Sequence, residues 1–365
     1  MNIRTIASAA FVLALVGGCA SKQAAKAPQS QPEVATKPAV AAAAPKAPPP
    51  DAIRLSQIRE KALRTVEESA SSPDGQVRGY AANAASLVPN RLGDILVKTL
   101  DDPLPGPKAM AAMSAGRARY QPAAARIAPL LSDPSPFVRM ASIYALTKLG
   151  RPVDPTAVAG WLMNGETPQI RSQAAWVLGE IGNKSAIPML KDAAVKGITK
   201  VRPIEVTIFQ LQCGEARIKL GDNDPIEGIR AALFPASPDE LEGAVLAVQI
   251  IGEVKDRRSM DQLIYLADQR DAKGNFMPAE FRMECAMSLA KLGLDKGSFI
   301  ADEYAADPNP TIRAQAASVY GYTARPEHFL ILENMLSDPS PFVRVVAASA
   351  IIRAHARLSG EALPY

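Results

Sequence analysis

The chain has 365 residues, 48% hydrophobic but only 5% aromatic, with two histidines, three cysteines and a net charge of +4. That length suits two conventional domains or one repeat array, and the composition favours helices packed through Ala, Leu, Ile and Val over a β-sandwich. Residues 1–51 hold five basic and two acidic groups, leaving 36 basic against 35 acidic in the remainder. So neutral a body excludes nucleic acid as the main partner, since such binding rests on a surplus of phosphate-neutralising Lys and Arg.

The chain begins with Arg4, an apolar run from Ile6 to Val16 broken only by Ser8, and then Gly17, Gly18 and Cys19. A run this short does not span a hydrocarbon core about 30 Å thick, so residues 1–18 read as a removable signal peptide. Val16-Gly17-Gly18-Cys19 resembles the lipobox of bacterial lipoproteins, with Val where Leu is commoner. The resemblance implies lipidation (palmitate among the acyl groups) at Cys19 and a membrane anchor in the bacterial cell envelope. Ala20 and Ser21 follow without an Asp, which by the same resemblance points to the outer membrane, with the body facing the periplasm. The plain alternative is a secretory signal with a stray Cys. Residues 19–51 then form a tether rich in Ala, Pro and Lys, too poor in large apolar groups to fold. At ~3.1 Å per residue in the polyproline conformation its thirty residues from Ser21 reach about 90 Å.

From Ala52 the chain is periodic. "LSDPSPFVR" occurs at Leu131–Arg139 and again at Leu336–Arg344. With those arginines as marks, comparable segments align at Arg78, Lys108, Arg139, Arg171, Gln210, Ala244, Arg282, Arg313 and Arg344, spaced 30 to 39 residues apart. A period in this range is the signature of stacked repeats. Three after the mark stand Ala81, Ala111, Ser142, Ala174, Cys213, Ala247, Cys285, Ala316 and Ala347, all small. Seven after it the residues are apolar except Arg217. Positions −1, +3 and +7 share one helical face, so each unit contains a helix that packs closely through small residues. Pro105, Pro136, Pro168, Pro310 and Pro341 lie three before the mark, and Ser135, Thr167, Asn309 and Ser340 precede four of them. These predict helix starts, with a side-chain cap followed by Pro at the first helical position. The longer spacings predict inserts near Lys196–Pro203 and Asp268–Pro278.

Residues 52–358 therefore read as an all-α solenoid of about nine helix pairs, followed by a tail at 359–365. It resembles HEAT repeats, above all the HEAT-like branch of the phycobilisome lyases. That family pairs a turn Asp with an Arg six positions on, a spacing kept by Asp102/Lys108, Asp133/Arg139, Asp307/Arg313 and Asp338/Arg344; the resemblance implies that these form a structural ladder along the stack. "AAWVLGEIGNKSAIPML" and "LAKLG" also fit the family pattern. In HEAT solenoids the second helices line a concave groove, which would place Met113, Tyr144 and Trp176, five after their marks, on an apolar partner-binding strip. Aromatic side chains dominate protein-binding hot spots; the competing reading has them fill gaps between helices. Nine after the mark, Lys148, Glu180, Lys219, Glu253 and Lys291 alternate in sign, expected as inter-repeat salt bridges on the groove rim.

Little else suggests chemistry. Cys213 and Cys285 lie two repeats apart, too far for a disulfide if helices are 8–10 Å apart. His328 and His355 have no ligand partners at metal spacing and read as surface or turn residues. "GDNDPIEG" and "DQRDAKGN" are acidic without matching a calcium loop, and no nucleotide, kinase or hydrolase motif appears. The sequence therefore reads as a non-enzymatic, cofactor-free envelope scaffold or adaptor that binds a protein partner. A lyase-like enzyme or accessory subunit and a mechanical spacer are the alternatives.

Overall fold

The computed structural model describes residues 50–271 and 273–365. The signal peptide at 1–18, the Cys19 anchor and the tether through residue 49 lie outside the described residues. Asp51 already belongs to the fold, because its carboxylate accepts the Arg54 backbone N–H at 2.8 Å and caps the first helix.

Eighteen α-helices follow among the described residues, in nine pairs. They are α1 (Ala52–Ser69) with α2 (Gly75–Ala85), α3 (Pro89–Thr99) with α4 (Pro105–Arg117), and α5 (Ala124–Ile127), extended by 3-10 turns, with α6 (Pro136–Lys148). Next come α7 (Thr156–Asn164) with α8 (Pro168–Ile181), α9 (Ile187–Lys196) with α10 (Pro203–Lys219), and α11 (Ile226–Ala231) with α12 (Leu241–Glu253). The last are α13 (Met260–Asp268) with α14 (Ala279–Lys291), α15 (Lys296–Asp302) with α16 (Pro310–Thr323), and α17 (Phe329–Met335) with α18 (Pro341–Ser359). Every repeat mark falls in the second, inner helix of its pair. The inserts fall between α9 and α10 and between α13 and α14; the latter holds the isolated Arg270–Phe276 bridge, the one β pairing among the described residues.

Local chemistry explains the starts. Thr167 and Asn309 cap α8 and α16 through their side chains, and Pro opens both helices. Ser135 and Ser340 hold the cap backbone conformation but make no side-chain cap bond. There the expectation is corrected: the helix start has no side-chain cap, and the Asp two residues earlier shapes the turn instead, Asp133 and Asp338 accepting the backbone N–H of Ser135 and Ser340 at 2.9 and 2.8 Å. A carboxylate is the stronger acceptor and draws the turn onto itself.

The inner helices pack on one another through the small column, and in alternate repeats the approach is closer still. Gly116, Gly179, Gly252 and Gly321, each eight after its mark, face Ala145, Ala216, Ser288 and Ala350 of the next inner helix; a Cβ on any of them would meet that residue's Cα at 2.6–3.0 Å. Backbone touches backbone there, as only glycine allows.

The array does not stay open. The ninth pair packs on the first: α18 lies against α1 and α2, and α17 against α1. Glu333 takes Arg54 at 2.7 Å and also pairs with Lys61, Arg59 reaches Glu361 at 3.2 Å, and the rings of Tyr80 and Phe342 meet edge to face at 4.9 Å. The nine inner helices form a closed ring with the outer helices around it, and one hydrophobic core runs the whole way round.

Candidate functional site

Closure removes the open groove. Met113, Tyr144 and Trp176 sit on α4, α6 and α8 as the spacing requires, but they are 2, 2 and 5% exposed. The Tyr144 and Trp176 rings lie 6.1 Å apart, and the Lys219 ammonium stands 5.2 Å from the Trp176 ring. The expectation of an exposed strip is corrected: these side chains fill the centre of a ring, because the inner faces of opposite helices meet across it. Arg117 on α4 and Glu253 on α12 are close enough to shift each other's ionisation. Glu215, Gln249 and Met287 continue the same column and are equally buried.

The column nine after the mark gathers at one mouth of the ring. Apart from Leu87 in the first repeat, its members are Arg117, Lys148, Glu180, Lys219, Glu253, Lys291, Tyr322 and Arg353, so the sequence pattern of five alternating charges is part of a longer set. Lys219 bonds Glu180 at 2.5 Å and Glu215 at 2.6 Å, and Lys291 pairs with Glu253. The Lys291 charge leads in holding the Glu253 carboxyl down at about 2, against the opposing effect of burial. Lys148 lies over the Tyr144 ring at 5.6 Å instead of bridging an acid. These are the last turns of the inner helices, where the dipole and free carbonyls favour cations: Lys255 donates to the Lys291 carbonyl at 2.6 Å, and Arg357 to that of Tyr322.

A cleft of about 290 Å³ opens here, lined by Glu253, Lys255, Lys291, Tyr322, Arg353, Arg357, Leu363 and Tyr365. The last two belong to the C-terminal segment, which turns back after Gly360 (φ 70°). The Tyr365 hydroxyl bonds the Ser86 hydroxyl at 2.7 Å, with the guanidiniums of Arg117 and Arg353 at 5.0 and 5.9 Å from its ring. Burial alone would raise the Tyr322 hydroxyl, yet Arg353, Lys291 and Arg117 bring it below its ordinary value. The mouth is electropositive. Sequence reasoning missed Arg353, Arg357 and Lys255 because nothing local marks them; the pattern at +9, carried through the last repeat, contains Arg353.

The ladder residues make a two-level contact. Arg313 donates twice to the Asp338 carboxylate at 2.8 Å while bonding the Asp307 carbonyl in its own turn at 2.7 Å. Arg78 holds Asp102 the same way, and Lys108 reaches Asp133 at 2.7 Å. Arg139 and Arg344 bond the carbonyls of Asp133 and Asp338 at 2.6 and 2.8 Å. Within a turn the Asp–Arg contact is thus to main chain, and the carboxylates of Asp102, Asp133 and Asp338 serve the preceding repeat; Asp307 does not, because Arg282 of the preceding repeat pairs with Glu303 at 2.8 Å instead. Gly165 stands where the next Asp would be for Arg139, whose guanidinium stacks on Trp161 at 5.0 Å instead.

The remaining candidates are structural. Cys213 and Cys285 are free and buried, and burial pushes the Cys213 thiol up to about 12. His328 is a correction: it is 3% exposed with its ring 4.3 Å from that of Tyr320, since the short outer helix turns it inward. In the two acidic turns, Asp222 pairs with Arg217 at 2.7 Å, and Asp271 accepts the N–H groups of Lys273 and Asn275. Among the described residues no three His, Cys, Asp or Glu side chains converge as a metal site, and no helix is long and apolar enough to cross a membrane.

One stretch of the chain matches a known repeat family. Residues 93–162 match the family model for HEAT repeats. The fold is a HEAT-like solenoid. Similar solved structures include human deoxyhypusine hydroxylase in complex with glycerol, 20% identical over 74% of this chain and 98% of that one, with a TM-score of 0.38. The complex of CpcE and CpcF of phycocyanin lyase from Nostoc sp. is 16% identical over 87% of this chain and 98% of that one, with a TM-score of 0.30. These scores carry nothing about activity. No curated protein matches the sequence.

Proposed function

We propose that this chain is a non-enzymatic adaptor, lipid-anchored through Cys19 in the bacterial envelope, which binds a protein partner on the outside of its ring. The observation that supports this reading is the division of apolar surface. The inner column is sealed, while Val195, Tyr265 and Phe299 on the outer helices α9, α13 and α15 are 81, 58 and 56% exposed. Apolar groups gathered into a patch on a protein surface mark docking sites, and repeat arrays bind partners on their extended surfaces. Photo-cross-linking from positions 265 and 299 in native envelopes is expected to recover one recurrent protein, and a position inside the ring, such as 144, none. Recovery of no repeated partner from the outer positions removes the adaptor reading. Separately, Cys19→Ser is expected to abolish labelling by radioactive palmitate and release the protein from the membrane fraction; labelling that persists in the variant removes the anchor.

A further inference from the structure

The cationic mouth is a feature that the adaptor reading does not use. Lys255, Arg353 and Arg357 line the cleft, Arg117 stands behind it 5.0 Å from the Tyr365 ring, and among the described residues none of the four forms an ion pair; the one acid in the lining, Glu253, is taken by Lys291. Lys255 is also held in an uncommon backbone state. It stands eleven after its mark with φ 60°, where four sister repeats carry Gly150, Gly182, Gly221 and Gly293 at φ 69–95° and two carry Arg119 and Ala324 at φ 50 and 53°. That left-handed conformation favours glycine. A lysine kept there sends its ammonium back over the cleft, to the end of α14. The C-terminal segment covers the site, its Tyr365 ring between Arg117 and Arg353.

We propose that this cleft is a binding site for a small multivalent anion of the phosphate-ester or polycarboxylate class, gripped by Lys255, Arg353 and Arg357 and covered by Tyr365. Its volume suits a molecule of a dozen or so heavy atoms. Guanidinium groups offer paired donors to oxyanions, and an ammonium adds a movable point charge. Tyr365 occupies the faces of two guanidiniums without neutralising either, so a ligand must displace the ring or bind beside it.

The test titrates pyrophosphate and citrate into the full chain, purified in a neutral detergent at low ionic strength, by calorimetry. One saturable site is expected for at least one probe, and the probe preferred assigns the phosphate or the carboxylate class. Arg353→Gln is expected to weaken binding about tenfold, the loss that goes with one charge-assisted hydrogen bond. Lys255→Gly is expected to weaken it similarly without lowering the unfolding temperature, since glycine relieves the backbone, and this separates lost binding from lost folding. Tyr365→Ala is expected to tighten binding by opening the mouth. Absence of saturable binding by both the native chain and Tyr365→Ala overturns the proposal, and so does unchanged affinity in either charge variant.

Discussion

Glu284 stands two positions after Arg282 on α14, 1% exposed, with the Gln249 amide as its polar neighbour, and burial raises its carboxyl to about 7. The sign of its effect on stability follows directly. The folded chain holds this proton more tightly than the unfolded chain, whose glutamate ionises near the ordinary value of 4.5. The favourable contribution is complete below about pH 4.5, falls as pH rises through 7 and is gone above it. The native chain therefore bears a cost of about 3 kcal/mol at pH 8 that it does not bear at pH 4. Glu284→Gln, which keeps the shape and loses the charge, is expected to raise the melting temperature at pH 8 and to change it little at pH 4.5. An equal shift at both pH values would mean that the carboxylate is not ionised against the core. No sequence pattern distinguishes this glutamate from a solvated one. Its position on the helix predicts a turn of the ring, and only the meeting of opposite walls makes the site dry. The same holds for Tyr144 and Trp176, whose spacing is plain in the chain while their burial depends on helices far away in sequence.

At the scale of the helix, the small residues three after each mark were readable because they recur in all nine units. The glycines eight after the mark were not, because they recur only in alternate units: Gly116, Gly179, Gly252 and Gly321. They define a double repeat in which one pair of inner helices touches backbone to backbone. Overpacking such a contact costs about 1–3 kcal/mol or more, since neither helix can move without disturbing its outer partner. Gly321→Val is expected to lower the unfolding free energy by that amount, read as a lower denaturant midpoint with the m-value unchanged. Val at Gly150, a turn position with nothing within 4 Å of a Cβ, meets only the strain of φ 69°. The prediction fails if Gly321→Val is tolerated as well as an exposed helix substitution. The Asp–Arg spacing was also legible, but its partners were not. An Arg that bonds its own turn's carbonyls and the next turn's carboxylate ties two repeats together, and sequence spacing reports only the nearer of the two.

At the scale of the molecule, repeat number and helix pairing were evident from periodicity, whereas closure was not. Curvature accumulates from a small rotation per repeat, and no single residue announces that nine such rotations complete a turn. Closure changes how the molecule should unfold. An open array frays from its ends, but here α1 and α18 cover each other's apolar faces. Hydrogen exchange is expected to protect α1 and α18 as strongly as α8 and α10, and removal of residues 52–69 is expected to expose the flank of α18 and produce concentration-dependent association. Fast exchange confined to α1 and α18, or a monodisperse monomer after the deletion, would show that the seam is weak.

The seam has one more consequence, and it is mechanical. The polypeptide enters the body at Asp51, the first cap of α1, and α1 is one jaw of the junction whose other jaw, α18, carries the segment ending in Tyr365. Tension arriving at Asp51 therefore bears first on the seam, where Arg54 in that opening turn is held by Glu333 of α17.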